Sequence, residues 1–424
     1  MLIAFFISLF VLMFLGVPIA ISLGLSTVLG ITMHEVIPLE TVPQRIFVSL
    51  NSFPLMAIPF FILAGNLMGA GSMSKRLVNF ASSLVGHFTG GLAMVAIVTS
   101  MFFAAISGSG AATTAAIGSI LIPAMVARGY KIEYAAANQA VAGALGIIIP
   151  PSVAMILYGV AAEVSISDLF IAGILPGFLI TISLLISAFF IAKKNGYQGT
   201  EKQPFPSIVK AFFEAFFAIL MPVIVLGGIY SGFFTPTEAS VVAVVYALVV
   251  GLFIYRDITI PQLAVVFKDS AISSSIIMLV IGAAGLFGFF IGINSVPDMI
   301  YDTISSFITN KYVFLLVVNI ILFFTGMFLE GGAAILILVP LLFGTATNLG
   351  VDPVHFGVIM VVNLALGLVT PPVGIDLFVV SQLTNLSIVR IARYAIPLIL
   401  ILVLDILIIT YFPPLSTWLP SLLK

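Results

Sequence analysis

The chain has 424 residues, of which 62% are hydrophobic and only 7% charged, with a formal net charge of −1, and its mean hydropathy is +1.31. An average soluble domain carries about 25% charged residues, so a soluble fold is excluded, as is a basic surface for nucleic acid. The absence of cysteine further excludes disulfides, thiol catalysis and iron–sulfur clusters.

Apolar runs of about 20 residues or more recur along the chain, whereas the strands of an outer-membrane barrel would alternate over about 10 residues. The expected fold is an all-α, multi-pass protein of a bacterial inner membrane. The first run, Met1 to Met33, reads as one retained helix, because no Ala-x-Ala-like cleavage site follows a short core. The loop His34 to Arg45, with Glu35 and Glu40, closes it, and Ile46 to Ala70 follows. Leu77 to Gly91 mixes apolar positions with Asn79, His87 and Thr89 and reads as an interfacial arm.

Leu92 to Ala127 is interrupted near its middle by S-G-S-G-A-A-T-T, Ser107 to Thr114. The run is long enough for two half-crossings, so a re-entrant hairpin with Ser107 to Gly110 at its tip is expected; the alternative is a single kinked crossing. A run broken at Pro150 and Pro151 comes next, then a helix from Leu169 to Ala192 and a lysine-rich linker, Lys193 to Lys210. Ala211 to Gly232 and Ala239 to Tyr255 read as crossings, Ile258 to Ser270 as a second arm, and Ala271 to Ile293 as a further crossing. Tyr312 to Ala346 is the second interrupted run, with L-E-G-G-A-A at Leu329 to Ala334, followed by a run broken at Pro371 and Pro372 and a final helix.

The two halves are copies. A-L-G-I-I-I-P-P-S at Ala144 to Ser152 returns as A-L-G-L-V-T-P-P-V at Ala365 to Val373, with 371 − 150 = 221 and 397 − 176 = 221 for matched prolines. Adjacent prolines remove a donor and obstruct the helix behind them. In hydrocarbon each freed backbone group costs several kcal/mol unless something satisfies it, so a mid-span break is expected only where it lines a buried site.

Lysine and arginine favour the cytoplasmic side. Lys75, Arg76, Arg128 and Lys131 flank the first hairpin, whereas Asp298, Asp302 and Asp352 flank the second, so the copies are expected to run antiparallel. One extra crossing, Ala211 to Gly232, would permit that inversion. Inverted repeats with discontinuous helices are the architecture of secondary transporters. The expected layout is 1–91 first scaffold helices and arm, 92–192 first transport repeat, 193–210 cytoplasmic linker, 211–311 second scaffold helices and arm, and 312–424 second transport repeat.

Unwound backbone and serine- and glycine-rich tips offer hard, weakly charged oxygen ligands of the kind that suit Na⁺. In the first copy the expected ligands are Ser107, Gly108, Ser109 and Gly110 with Ile149, Pro150 and Ser152. In the second they are Gly331, Gly332 and Ala333 with Val369, Thr370, Pro371 and Gly374. Half-helix N-termini at the tips would face an anionic substrate. Glu330 and Asp376 lie deep in apolar runs, where a charge costs at least ~2.5 kcal/mol, and are substrate or ion candidates. Thr113, Thr114, Asn138 and Asn363 could reach the same depth, although a buried amide also serves to hold two helices together. Asp405 has no evident role. The three histidines, His34, His87 and His355, lie at run ends and read as solvated loop residues. No metal other than Na⁺ and no cofactor is expected.

S-G-S-G-A-A-T-T, G-I-I-I-P-P-S, F-T-P-T-E-A-S (Phe234 to Ser240), L-E-G-G-A-A and G-L-V-T-P-P-V-G together resemble the large membrane subunit of tripartite ATP-independent periplasmic (TRAP) transporters, over nearly the whole chain. The resemblance implies Na⁺-coupled uptake of an organic acid, a C4-dicarboxylate or sialic acid, the latter slightly favoured by overall likeness. It also implies a periplasmic substrate-binding protein and a small four-helix membrane subunit, separate here because the chain begins at its first helix. An elevator mechanism, with a transport domain sliding on a scaffold, is implied too.

The rival is a stand-alone Na⁺- or H⁺-coupled dicarboxylate or citrate carrier of similar architecture. No enzymatic role is expected. His34-Glu35 lacks the second histidine of H-E-x-x-H, Ser109 lacks a histidine on a membrane run, and G-x-x-x-x-G-K-[S/T] is absent.

Overall fold

The computed structural model describes residues 1–33 and 37–423; His34 and Glu35 lie outside the described residues. Among these residues every regular element is helical, and nine helices are long and apolar enough to cross a membrane.

The first run is not one helix. It divides into α1 (Leu2–Phe14) and α2 (Ile19–Thr32), which pack on each other. Gly16 turns the chain with φ +77°, and Pro18, which lacks an N–H, precedes α2. Each helix is shorter than the ~20 residues a span requires. Phe5 stacks on Phe287 and meets Phe290 at a tilt, while Gly30 also lies against Phe290. The pair therefore enters and returns at one end of its neighbour. Ile46 to Ala70 also divides, at Asn51 and Ser52, into the amphipathic α3 (Thr41–Leu50) and, after a 3₁₀ turn at Phe53–Met56, α4 (Ala57–Ala70).

The arm is α5 (Met73–Val85), which packs between the neighbouring helices. Its N-terminus is capped from far along the chain: the Asp257 carboxylate accepts from the Ser72 N–H at 2.7 Å and also from the Ser72 hydroxyl. Arg76 donates to Ser72 Oγ at 2.9 Å and stacks over Tyr255, 4.0 Å from the ring centre.

The first repeat continues with α6 (Gly91–Ser107) and α7 (Gly110–Ala127), a hairpin turned by Gly108 at φ +61°, which agrees with the expected tip. Next come α8 (Ile132–Gly143) and α9 (Leu145–Ile148), the break at 149–152, α10 (Val153–Ala161) and α11 (Ile166–Asn195). Two more helices, α12 (Phe205–Tyr230) and α13 (Pro236–Val249), precede the second repeat.

Ile258 to Ser270 is not an arm: it opens α14 (Ile260–Ile293), one uninterrupted helix of 34 residues started by a Thr259–Gln262 capping box. The amphipathic segment lies later, in α15 (Val296–Phe307). The second hairpin is α16 (Lys311–Phe328) and α17 (Gly331–Asn348), and the second broken helix is α18 (Pro353–Gly367) and α19 (Ile375–Thr384). The chain ends with α20 (Ile388–Tyr411) and α21 (Pro414–Leu422).

Two contacts establish the inversion. The Tyr158 hydroxyl at the end of α10 donates to Pro353 O at the start of α18, 2.6 Å away, and Arg390, opening α20, pairs with Glu133, opening α8. The first broken helix thus ends where the second begins. The parity differs from expectation, because α1 and α2 make no full crossing and both α12 and α13 separate the repeats. Thr237 Oγ1 donates to Phe53 O at one end of α13 and α4, while Asp257 meets Ser72 at the other, so these two helices are parallel.

Candidate functional site

The tip of the first hairpin rests directly on the first break. Gly108 approaches so closely that a Cβ there would lie 2.9 Å from Pro151 O, and a Cβ on Gly146 would lie 2.7 Å from Thr113 Oγ1, against the Ser109 carbonyl. The backbones meet only because both positions lack side chains. Thr113 donates to Ser109 O at 2.8 Å and shares a 2.8 Å hydrogen bond with Ser107. Ser152 caps α10 while its hydroxyl donates to Ile147 O at 2.6 Å. Ser107, Gly108, Gly110, Pro150 and Ser152 are buried, and Ser109 and Ile149 are half-buried. These seven residues therefore lie close together around the tip and the break.

Asp376 completes this cluster from the other repeat. Sitting in the first turn of α19, it is fully buried, and its Oδ2 lies 3.0 Å from the Cβ position of Gly110 at the start of α7. Neither carboxylate oxygen has a hydrogen-bond partner.

The second hairpin tip is less enclosed. Glu330 is exposed, and its carboxylate caps α17 by accepting from Gly332 N at 2.9 Å and Ala333 N at 3.2 Å. Gly331 faces Ile147 and Leu364, and Gly332 faces Leu157, so this tip reaches the first broken helix. The second break spans 368–374. Thr370 donates to Leu366 O at 2.8 Å, Val373 N donates to Met327 O, and Gly374 turns at φ +54° against Thr370 O. Val369 is buried, Pro371 half-buried and Val373 44% exposed.

The two tip N-termini are already occupied, α17 by Glu330 and α7 by Ser109, whose Oγ accepts from Ala112 N. At the breaks, Ser152 caps α10, whereas α19 has no side-chain cap.

Asn363 donates its amide to Asn319 Oδ1 and Ile359 O, both at 2.8 Å, and Asn319 donates to Thr410 at 3.1 Å, a seam joining α16, α18 and α20. Asn138 donates to Ala93 O at 3.2 Å, and the Thr114 hydroxyl is buried without a partner. His355 is not a solvated loop residue: it is 2% exposed, with its ring nitrogens 3.2 Å from Ser416 Oγ and Thr410 O. Asp405, for which the sequence offered no role, accepts from Ser183 at 2.5 Å and joins α20 to α11.

A family model described as "Tripartite ATP-independent periplasmic transporter, DctM component" matches residues 6–415. The chain belongs to this family. It is a multi-pass inner-membrane permease component of the TRAP class. Across 94% of its length it is 46% identical to the isethionate TRAP transporter permease protein DctMQ of Oleidesulfovibrio alaskensis, and it spans 63% of that longer protein. The C4-dicarboxylate TRAP transporter large permease protein DctM of Vibrio cholerae is 41% identical over 99% of this chain and 97% of its own. The sialic acid TRAP transporter large permease protein SiaM of the same species is 36% identical over 97% and 96%. The YdaH transporter of Alcanivorax borkumensis shares the fold, with TM-score 0.61 at 15% identity, covering 89% of this chain and 88% of that one.

Proposed function

We propose that this TRAP permease component carries out Na⁺-coupled uptake of a small organic anion by an elevator mechanism, together with a small membrane subunit and a periplasmic substrate-binding protein. The observation that carries this reading is the meeting of both broken helices and both hairpin tips in one place. Tip one lies on Pro151 and faces Asp376, and tip two faces Ile147 and Leu157.

Na⁺ would bind among Ser107, Gly108, Ser109, Gly110, Ile149, Pro150 and Ser152. A second ion would bind among Gly331, Gly332, Ala333, Val369, Thr370, Pro371 and Gly374. Asp376, fully buried and unpaired, supplies the formal negative charge that a cation needs there. The substrate anion would meet the N-terminus of α19, which has no side-chain cap, beside the exposed Val373, where the helix dipole favours it. Glu330, Thr113, Thr114, Asn138 and Asn363 are the remaining candidate contacts.

In this reading α6 to α11 and α16 to α21 form the moving body, and α1 to α4 with α12 to α14 form the scaffold. The scaffold helix α4 meets the first tip at Gly65, whose Cβ position lies 2.9 Å from Ser107 Cα. The substrate is a sulfonate or carboxylate of the kind named for the relatives above: isethionate, a C4-dicarboxylate or sialic acid.

The test is reconstitution in liposomes with both partners, following each of these three radiolabelled anions under an inward Na⁺ gradient. Uptake only with all components and Na⁺ is expected. Uptake by the chain alone, or uptake indifferent to Na⁺, overturns the reading in favour of a stand-alone or uncoupled carrier.

A further inference from the structure

The polar stretch 193–210 reads as a tether, yet its first part is not loose. Gly196 turns the chain out of α11 at φ +73°, and Tyr197, 9% exposed between exposed neighbours, folds back under the first repeat. Its ring stacks on Tyr130 at 4.2 Å and on Tyr134 at 5.7 Å between centroids. Its hydroxyl accepts from Lys131 N at 3.2 Å. A buried ring with a bonded hydroxyl has little freedom, so the backbone that carries Tyr197 is fixed with it.

That backbone then takes hold of the arm. Tyr197 O accepts from Gly90 N at 3.1 Å, and Thr200 N donates to the carbonyl of Gly86, which ends α5, at 2.8 Å. A Cβ on Gly199 would lie 2.3 Å from Phe88 O, so only glycine lets the two backbones lie this close. Gly90, at φ +78°, seats the start of α6 against Ala192 of α11 in the same way. The end of the arm, the start of the first hairpin, the end of α11 and the first residues of the linker therefore interlock.

The second repeat closes in the same manner. Adding 221 to Tyr134 gives His355, and the chain after α20 reaches back to His355 through Ser416. Folding the tail onto this position of the broken helix is thus a property of the repeat, and 196–200 belong to the moving body. From 201 to 204 the chain is exposed. It runs beside a polar cavity of about 430 Å³ lined by Ser82, Arg128, Thr200, Glu201 and Gln203, and α12 begins at Phe205.

We propose that residues 196–200 form a clip that keeps the tail of the arm locked to the moving body in every state of the carrier, and that 201–204 hold the slack between that body and α12. This deepens the elevator reading above and rests on it. Four extended residues reach about 14 Å at most, so Thr200 can shift relative to α12 without unfolding either neighbouring helix. Tyr197 meanwhile keeps the hairpin base, α8 and α11 in register with the arm. Motion is then absorbed by a few positions at the end of an element, as in other hinges.

In liposomes holding the full transporter, a Gly-Ser insertion after Lys202 is compared with the same insertion after Gln198 for Na⁺-driven uptake. The first is expected to stay near the native rate and the second to lose roughly fivefold or more; equal effects overturn the proposal. Ser82→Cys with Thr200→Cys, whose native hydroxyls both lie about 3 Å from the Cβ position of Gly86, then bridges arm and clip in a chain with no other cysteine. The bridge is made by oxidation or by a short bifunctional methanethiosulfonate, and uptake should be unchanged. Uptake halted by the bridge and recovered on reduction means that arm and clip must part, and overturns the proposal. Where the Gln198 insertion does not fold, hydrogen exchange on the unsubstituted protein decides. The amides of Gly90 and Thr200 should exchange slowly and those of Lys202 and Gln203 fast, whereas fast exchange at Gly90 and Thr200 overturns the clip. That readout needs no transport, so absence of Na⁺-driven uptake by the unsubstituted protein is a failure of the transport reading alone.

Discussion

The two repeats share a backbone plan and differ in how they are finished. The first tip and break are buried, closed by glycines at 108 and 146, and lined by hydroxyls. The second break is longer, leaves Pro372 and Val373 exposed, and places a carboxylate, Glu330, where the first has Ser109 (330 − 221 = 109). Duplication supplied two equivalent breaks, and divergence made one a sealed, polar cradle and the other an open edge. The single buried acid of the second break, Asp376, is spent on the first tip, so neither repeat is complete alone.

Four groups of substitutions would break or sharpen that contrast. The largest effect is expected where the repeats agree. Gly146→Val and its counterpart Gly367→Val each drive a side chain into the facing hairpin backbone, and each should abolish uptake with a stability loss of about 1–3 kcal/mol, read by thermal unfolding in detergent. Indifference at either position would show that one repeat does not need close contact. Next, Asp376→Asn should lower Na⁺-driven uptake by roughly tenfold or more, since a buried charged contact is worth about 2 kcal/mol or more. Met155→Leu, its counterpart in the first repeat, should stay near the native rate.

A smaller change is expected from the caps. Ser109→Ala and Glu330→Ala should each cost about 1 kcal/mol of stability. If the tips have diverged in role, the two will differ in which external concentration dependence shifts, that of Na⁺ for Ser109 and that of the anion for Glu330. The smallest belongs to the Arg390–Glu133 pair, whose arginine is 61% exposed. Arg390→Ala should change stability by no more than about 1 kcal/mol, and a larger loss would mark the pair as a tie between the repeats.

Much of this was legible because proline and glycine act locally. Pro150, Pro151, Pro371 and Pro372 announced the breaks, the 221-residue offset announced the duplication, and Ser107 to Gly110 announced a tip, all without tertiary information. Long apolar runs misled in the opposite way. Gly16 and Pro18 were visible within Met1 to Met33, but continuous hydrophobicity hides a turn whenever the loop is apolar too. Ile258 to Ser270, read as a separate arm, is the start of α14, since a less apolar stretch on a long helix needs no break. Packing partners carried the rest. Nothing near His355 in the sequence announces Ser416 and Thr410, and nothing near Ser72 announces Asp257, 185 residues away.

That distant cap has a mechanical meaning. Ser72 is held by its N–H and its hydroxyl, with Arg76 braced on Tyr255, so the start of α5 is anchored to the end of α13 while its far end leads into the first hairpin. Thirteen residues of helix make a rigid lever about 20 Å long. Each degree of rotation about Ser72 carries the tail of that lever through about 0.3 Å, so a modest swing at one fulcrum becomes a displacement of whole ångströms where the hairpin begins.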